Sequence, residues 1–282
     1  MMSSPTFLFL RRLFRRKLVL AATLILVVAF ALAALAPWAS PFDPSAMRVT
    51  RRLRPPGEVN WFGTDELGRD IFSRVVWGAR ASLGIGFAVV LISISVGAAF
   101  GLIAGYFKKA DAIVMRIVDA LMSLPDILLA IFLVAVLGAS AANVVLALAI
   151  VYTPRVVRVI RASTLVVREL PFVEAARALG VSIWRILGVH VLLNVASPVL
   201  VQATFIFAYA VLAEAGLSFL GAGVPPETPT WGTMIASGQQ YAEDALWVVA
   251  FPGVAIVLVA LSLQIVGDGL RDMLDPKLRK AV

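Results

Sequence analysis

Uncharged stretches recur along the chain, and several are long enough to cross a bilayer. Residues 18–36, 81–107 and 127–154 contain no Asp, Glu, Lys or Arg. A helix rises ~1.5 Å per residue, so about 20 apolar residues span a hydrocarbon core of ~30 Å. The first two stretches predict spans over 18–36 and 82–105. The third is ambiguous: it is either one long helix or two helices joined at Gly138-Ala139-Ser140-Ala141-Ala142-Asn143. Flanking charge decides between them. Lys108, Lys109 and Arg116 precede this region, and residues 155–185 hold six arginines against two glutamates. Both flanks read as cytoplasmic by the positive-inside bias, so an even number of crossings separates them. The run therefore splits into spans near 117–137 and 142–160. Two more spans follow over 195–217 and 245–267, giving an all-α membrane bundle of six helices.

Charge then orients the bundle. Arg11, Arg12, Arg15, Arg16 and Lys17 precede the first span, and Arg271, Lys277, Arg279 and Lys280 follow the last. Both termini are expected in the cytoplasm, with the first span a retained anchor. Residues 218–244 contain three acids and no lysine or arginine, which suits the outer side. The first outer loop, residues 37–80, departs from the rule with seven arginines against five acids. Part of it reads as an amphipathic surface helix. Thr64 is a good N-cap, Asp65 and Glu66 suit the positive dipole end, and Asp65–Arg69 and Asp70–Arg74 are spaced for pairing along one face. Ile71, Phe72, Val75 and Val76 form its apolar stripe, expected to lie on the membrane or pack on the bundle.

Of the 282 residues, 61% are hydrophobic and 15% are charged. A soluble domain averages about 45–50% apolar and about 25% charged, so lipid is the expected solvent. The net charge of +8 is explained by loop asymmetry, and nucleic-acid binding is not expected. With no cysteine and His190 as the single histidine, disulfides, thiolate sites and histidine-rich metal centres are excluded. No G-x-x-x-x-G-K-[ST] phosphate loop, H-E-x-x-H or G-x-S-x-G occurs. The chain reads as a non-enzyme that binds no cofactor of its own. A secondary transporter or channel is the alternative class, but such proteins more often carry ionisable groups in broken helices at mid-membrane.

The most informative polar stretch is 168–194. Pro171 can open a helix on which Phe172, Ala175, Ala176 and Leu179 fall at helical spacing. Gly180 can end or bend it, because glycine tolerates positive φ. Ser182 is a plausible N-cap for a second helix carrying Ile183, Trp184, Ile186 and Leu187. Such a helix–glycine–helix element suits docking into another protein, and an ordinary amphipathic connector is the plainer reading.

Glu174-Ala175-Ala176, three residues and then Gly180 resemble the EAA-x3-G signature of ABC-class importer permeases. The usual I-x-L-P end is here Val191-Leu192-Leu193-Asn194, with Leu193 where the proline would stand. Phe62–Asp70 with Ser73-Arg74 resembles the F-G-T-D-x-x-G-R-D-x-x-S-R opening of the C-type permeases for dipeptides, oligopeptides and nickel. Leu217–Gly223, Pro229–Met234, Gly267–Asp272 and Leu274–Arg279 are similar to further stretches of that family. The resemblance covers about residues 8–279. It implies a type I ABC importer permease bundle over residues 79–268, between an N-terminal segment 1–78 and a tail 269–282. It also implies a second permease, two ATPase subunits carrying ATP and magnesium, and an extracytoplasmic solute-binding protein. Segment 168–194 would be the coupling element: Gly180 the bend, Ala175 and Ala176 close packing, Glu174 a polar contact to the ATPase, Ser182 the following cap. ATP binding would close the ATPase pair and tilt the bundle to open it outward. The cargo would be di- or oligopeptides, or alternatively nickel, glutathione or another small solute.

Single residues inside spans are weighed last. A carboxylate in a span is costly, so Glu214 is a candidate for the translocation path or its gating, against a helix-end residue meeting water or a partner. Gln202 and Tyr209 are further path candidates. Asp119 and Asp126 read as interfacial, with Asp126 favouring a helix start. Arg155, Arg158 and Arg161 share one face, where headgroup anchoring is the simplest reading.

Overall fold

The structure, a computed structural model, describes residues 16–274. The expectations for Arg11, Arg12, Arg15, Lys277, Arg279, Lys280 and the motif beyond Leu274 lie outside these residues. Eleven helices are labelled in chain order, and among the described residues the remaining regular structure is short helical turns and one isolated bridge. α1 (Lys17–Ala34) and a short turn α2 (Ala36–Ala39) come first. α3 (Ile71–Tyr106), α4 (Lys108–Met122), α5 (Asp126–Leu137) and α6 (Ala141–Val167) follow. Then come α7 (Pro171–Ala178), α8 (Ile183–Arg185), α9 (Leu192–Phe219), α10 (Trp231–Gly238) and α11 (Trp247–Leu274). Five helical runs are long and apolar enough to cross a membrane, and α4 with α5 makes a sixth only as a pair bent by 92°. One end of the bundle carries α7, and the other carries segments 37–70 and 220–246.

The core is organised on a seam between α3 and α6. Gly97, Gly101 and Gly105 stand four residues apart on one face of α3. A methyl group at each would come within 2.5, 2.8 and 2.5 Å of Val156, Ile160 and Thr164. Small residues at this spacing let helix backbones approach without a hydrophobic drive between them, which is how helices associate in lipid. Ser93 continues the row, and its hydroxyl donates to the Ala149 carbonyl. α9 then packs on α3, with the Phe207 ring over Gly86, and α1 meets α9 through Phe30 and Phe207.

Two expectations are corrected. No helix starts at Thr64. Thr64 to Asp70 is a tight buried loop, closed by the Thr64–Asp70 bridge and turned at Gly68 (φ +71°). The helix begins at Ile71, where the Asp70 carboxylate caps it by accepting from the Ser73 N–H at 2.8 Å. Asp70 therefore does not pair with Arg74, whose Nε lies 3.6 Å from Asp65 instead. The supposed stripe is simply the first two turns of a 36-residue helix. The segment packs on the bundle: Trp247 donates to the Thr64 carbonyl, and Phe62 stacks on Phe251 at 3.9 Å. Burial, and then the adjacent Asp65 charge, push the Glu66 carboxyl above the ordinary glutamate range.

The second correction concerns the span placed at 117–137. It is not one straight helix. Ser123-Leu124-Pro125 breaks it, because proline disfavours the helical conformation in the residue before it. α5 alone has 12 residues, roughly 18 Å of rise.

Candidate functional site

The segment 168–194 is held at one end of the bundle by one face and open on the other. Val173 has no exposed surface and Ala176 is buried, both in the core with Tyr106 and Phe107 packed against it. This corrects the expected stripe: Phe172 and Leu179 are 41% and 83% exposed. Arg177 clamps the helix by donating to the Tyr106 hydroxyl at 2.9 Å with its guanidinium over that ring. Arg168 ties the approach to α7 by donating to the Gly105 carbonyl at 2.8 Å.

Gly180 ends α7 as expected. Its φ is +75°, its N–H donates to the Arg177 carbonyl, and the Val181 N–H reaches back to Ala176. This pair of bonds is a Schellman cap, which calls for a left-handed residue at this position. Nothing lies within 4 Å of a Cβ placed there. Glu174 and Ala175 are exposed on the same outer surface. Ser182 occupies the N-cap position of α8 but caps with its carbonyl, not its hydroxyl. No separate second helix follows. α8 passes through a π-helical turn, Ile186–Val191, straight into α9, and Leu193 lies exposed on that continuous helix. His190 lies beside Phe172, 6.5 Å between rings.

At the opposite end, two sequence motifs interlock around Glu214. This carboxylate has no exposed surface. Its Oε1 accepts from Ser218 at 3.0 Å and Thr230 at 2.8 Å, and its Oε2 accepts from Ser82 at 3.2 Å. Ser82 also accepts from the Trp231 N–H, so α3, α9 and α10 meet at one acid. Thr230 caps α10 in a reciprocal box with Thr233. Gly221 closes α9 with a second Schellman cap, its N–H on Ser218 and that of Ala222 on Leu217. Glu214 is thus a structural tie inside this chain, with no surface open to water.

Within the spans, Tyr209 is 41% exposed and Gln202 half-buried, both on α9. Sequence reasoning missed what lies beside Tyr209. Arg155 on α6 is ion-paired with Asp126, and its guanidinium lies over the rings of Tyr152 and Tyr209 at 5.5 and 5.4 Å. Arg158 pairs with Asp119 at 2.6 Å, and Arg161 with Asp111. The three arginines are therefore partnered within the chain, an arrangement that the headgroup-anchor reading did not include. The signal was present: three aspartates precede three arginines, with a proline-broken helix able to bring them together. No group of His, Cys, Asp and Glu suited to a metal occurs among the described residues.

Residues 97–280 match the family described as binding-protein-dependent transport system inner membrane component, and residues 4–56 match the N-terminal TM domain of oligopeptide transport permease C. The chain is 46% identical over 253 residues to the di/tripeptide transport system permease protein of Pseudomonas aeruginosa, covering 87% of this chain and 84% of that one. It is 41% identical over 273 residues to the glutathione transport system permease protein of Pectobacterium atrosepticum, covering 96% and 91%. Its fold is similar to that of a chain in the MetNI methionine ABC transporter, solved in inward facing conformations. The TM-score is 0.58 and the identity 20%, with 72% of this chain and 97% of that one covered.

Proposed function

Because the chain belongs to the binding-protein-dependent transport system inner membrane component family, we propose that it forms half of the path by which an ATP-driven importer admits short peptides. It is a multi-pass inner-membrane permease with a type I importer fold. Its partners are a second permease, two ATPase subunits that hold ATP and magnesium, and an extracytoplasmic binding protein that delivers the cargo. The end carrying α7 faces the cytoplasm, as do both termini. The 46% identity to a di/tripeptide permease supports peptides as cargo, and the glutathione permease at 41% keeps glutathione as the second reading.

The carrying observation is the two-faced α7. One face is fixed to the bundle by Val173, Ala176 and Arg177, while Leu170, Phe172, Leu179, Ile183 and Trp184 leave apolar surface exposed around Glu174. Exposed apolar patches rimmed by charge mark protein interfaces. A force on the exposed face reaches α3 through the Tyr106 and Gly105 contacts, and reaches α9 through the continuous helix after Ser182. ATPase closure moves this element as a handle and tilts the bundle outward-open.

The test is Gly180→Val compared with Gly180→Asn, since asparagine tolerates the left-handed conformation. The valine variant is expected to insert normally but to lose ATPase copurification and ATP-driven peptide uptake, while the asparagine variant keeps both. Unchanged uptake by Gly180→Val overturns the coupling assignment.

A further inference from the structure

The row of ion pairs between α6 and the bent pair α4–α5 has no role in the coupling element or in the Glu214 knot. Arg155, Arg158 and Arg161 stand three residues apart on α6 and face Asp126, Asp119 and Asp111 in turn. Arg155 lies 14 residues after the start of α6, about 21 Å along it, inside the span expected over 142–160 and toward its charged end. The side chains remain accessible there: Arg155 and Asp126 are 33% and 40% exposed, and Arg158 and Asp119 are 44% and 59%. Charged groups at this depth are not turned toward acyl chains. They face bundle interiors or water. Tyr209 is exposed beside Arg155, so the same surface extends onto α9.

We infer that this row is the polar wall of the inner half of the path and holds the charged ends of a zwitterionic cargo by ion-pair exchange. Each rung offers a guanidinium for a carboxylate and a carboxylate for an ammonium. A short peptide supplies both, so it replaces an internal pair by two equivalent ones without leaving a charge bare, the costly event in a low dielectric. Successive arginines rise by about 4.5 Å along the helix, and an extended residue reaches about 3.3–3.6 Å. A dipeptide therefore reaches the next rung before releasing the last. Tyr152 and Tyr209 fix the Arg155 guanidinium by their ring faces, which leaves its edge for carboxylates.

The inference rests on the importer reading, and the experiment separates the two. The whole importer is reconstituted in liposomes with cysteine-free partners, which this chain already matches in having no cysteine. ATP-driven dipeptide uptake by the unaltered complex checks the importer reading by itself. Tyr209→Cys is then treated with charged, water-soluble thiol reagents, and labelling of this chain is followed by mass. Labelling is expected from the aqueous phase. It should be faster with an anionic than with a cationic reagent, and slowed roughly tenfold by excess zwitterionic dipeptide but not by its N-acetyl amide. Adding Arg155→Gln should abolish both the charge preference and the protection. If Tyr209→Cys fails to assemble, Leu212→Cys, exposed one turn along α9 and outside the ion-pair row, carries the same protection test. Labelling only by lipid-soluble reagents, or labelling indifferent to the zwitterion, overturns the inference even where uptake is intact.

Discussion

The two ends of this bundle use the same backbone device in opposite surroundings. α7 and α9 both finish in Schellman caps with glycine in the left-handed position, Gly180 and Gly221. Around Gly221 the chain folds back on itself. A methyl group on Gly223 would stand 2.2 Å from the Ser218 hydroxyl, and one on Gly232 would stand 2.6 Å from the Ala215 Cα. Every oxygen of Glu214 is bonded there. Both cap glycines are themselves open, with nothing within 4 Å of a Cβ at either, but no segment after Gly180 closes on α7 as Gly223 and Gly232 close on α9, and Leu179 and Trp184 remain exposed. A motif whose atoms are consumed internally specifies the fold. A motif whose atoms are left over keeps a surface on which a partner could act, the reading proposed for α7.

Substitutions that swap these properties break or sharpen that contrast. The largest effect is expected for Gly232→Val, since the opposing atom is backbone and cannot turn away. Overpacking of this kind costs roughly 3 kcal/mol or more, read as a lower melting temperature in detergent and loss of inserted protein. An unaltered melting temperature would show that the knot is loose. Glu214→Leu comes next, at about 2–3 kcal/mol, because three buried hydroxyls lose their acceptor. Glu214→Gln keeps an acceptor oxygen and should cost about half as much; equal losses for both would mean that the carboxylate is not the tie. Gly180→Val should cost about 1–2 kcal/mol from left-handed strain alone, with function lost out of proportion to stability. Arg177→Ala is the mildest, about 0.5–1 kcal/mol of cation–π contact, and should loosen α7 without unfolding the bundle. Hydrogen exchange confined to α7 would confirm it, and no change there would place the clamp elsewhere.

Much of this architecture was legible from sequence because lipid imposes simple rules. Uncharged length marked the anchor helix, the span from 82, and the two last spans, which the structure extends at one or both ends. Pro171, Glu174 and Gly180 marked a helix with its stop, since a helix-opening proline and a left-handed glycine act locally. The four-residue spacing of Gly97, Gly101 and Gly105 passed unread, because only its partners on α6 give it meaning. Other features resisted reading. Thr64, Asp65 and Glu66 resemble a helix start, yet Asp70 caps instead, because the loop is held by Trp247 and Phe251 from far along the chain. Glu214 looked like a group for a path because two of its three hydroxyl donors, Ser82 and Thr230, come from distant parts of the chain.

By itself, then, the sequence determined which segments prefer lipid, where helices stop, and which loops carry positive charge. These are properties of single residues and near neighbours, set by transfer energies and allowed backbone angles. Only the tertiary structure decided which charges meet. Arg155 finds Asp126 and Arg161 finds Asp111 because one span, bent by 92° after Met122, lies along α6. An ion pair depends on a few ångströms of separation, and separation across a bundle is fixed by packing rather than by position along the chain.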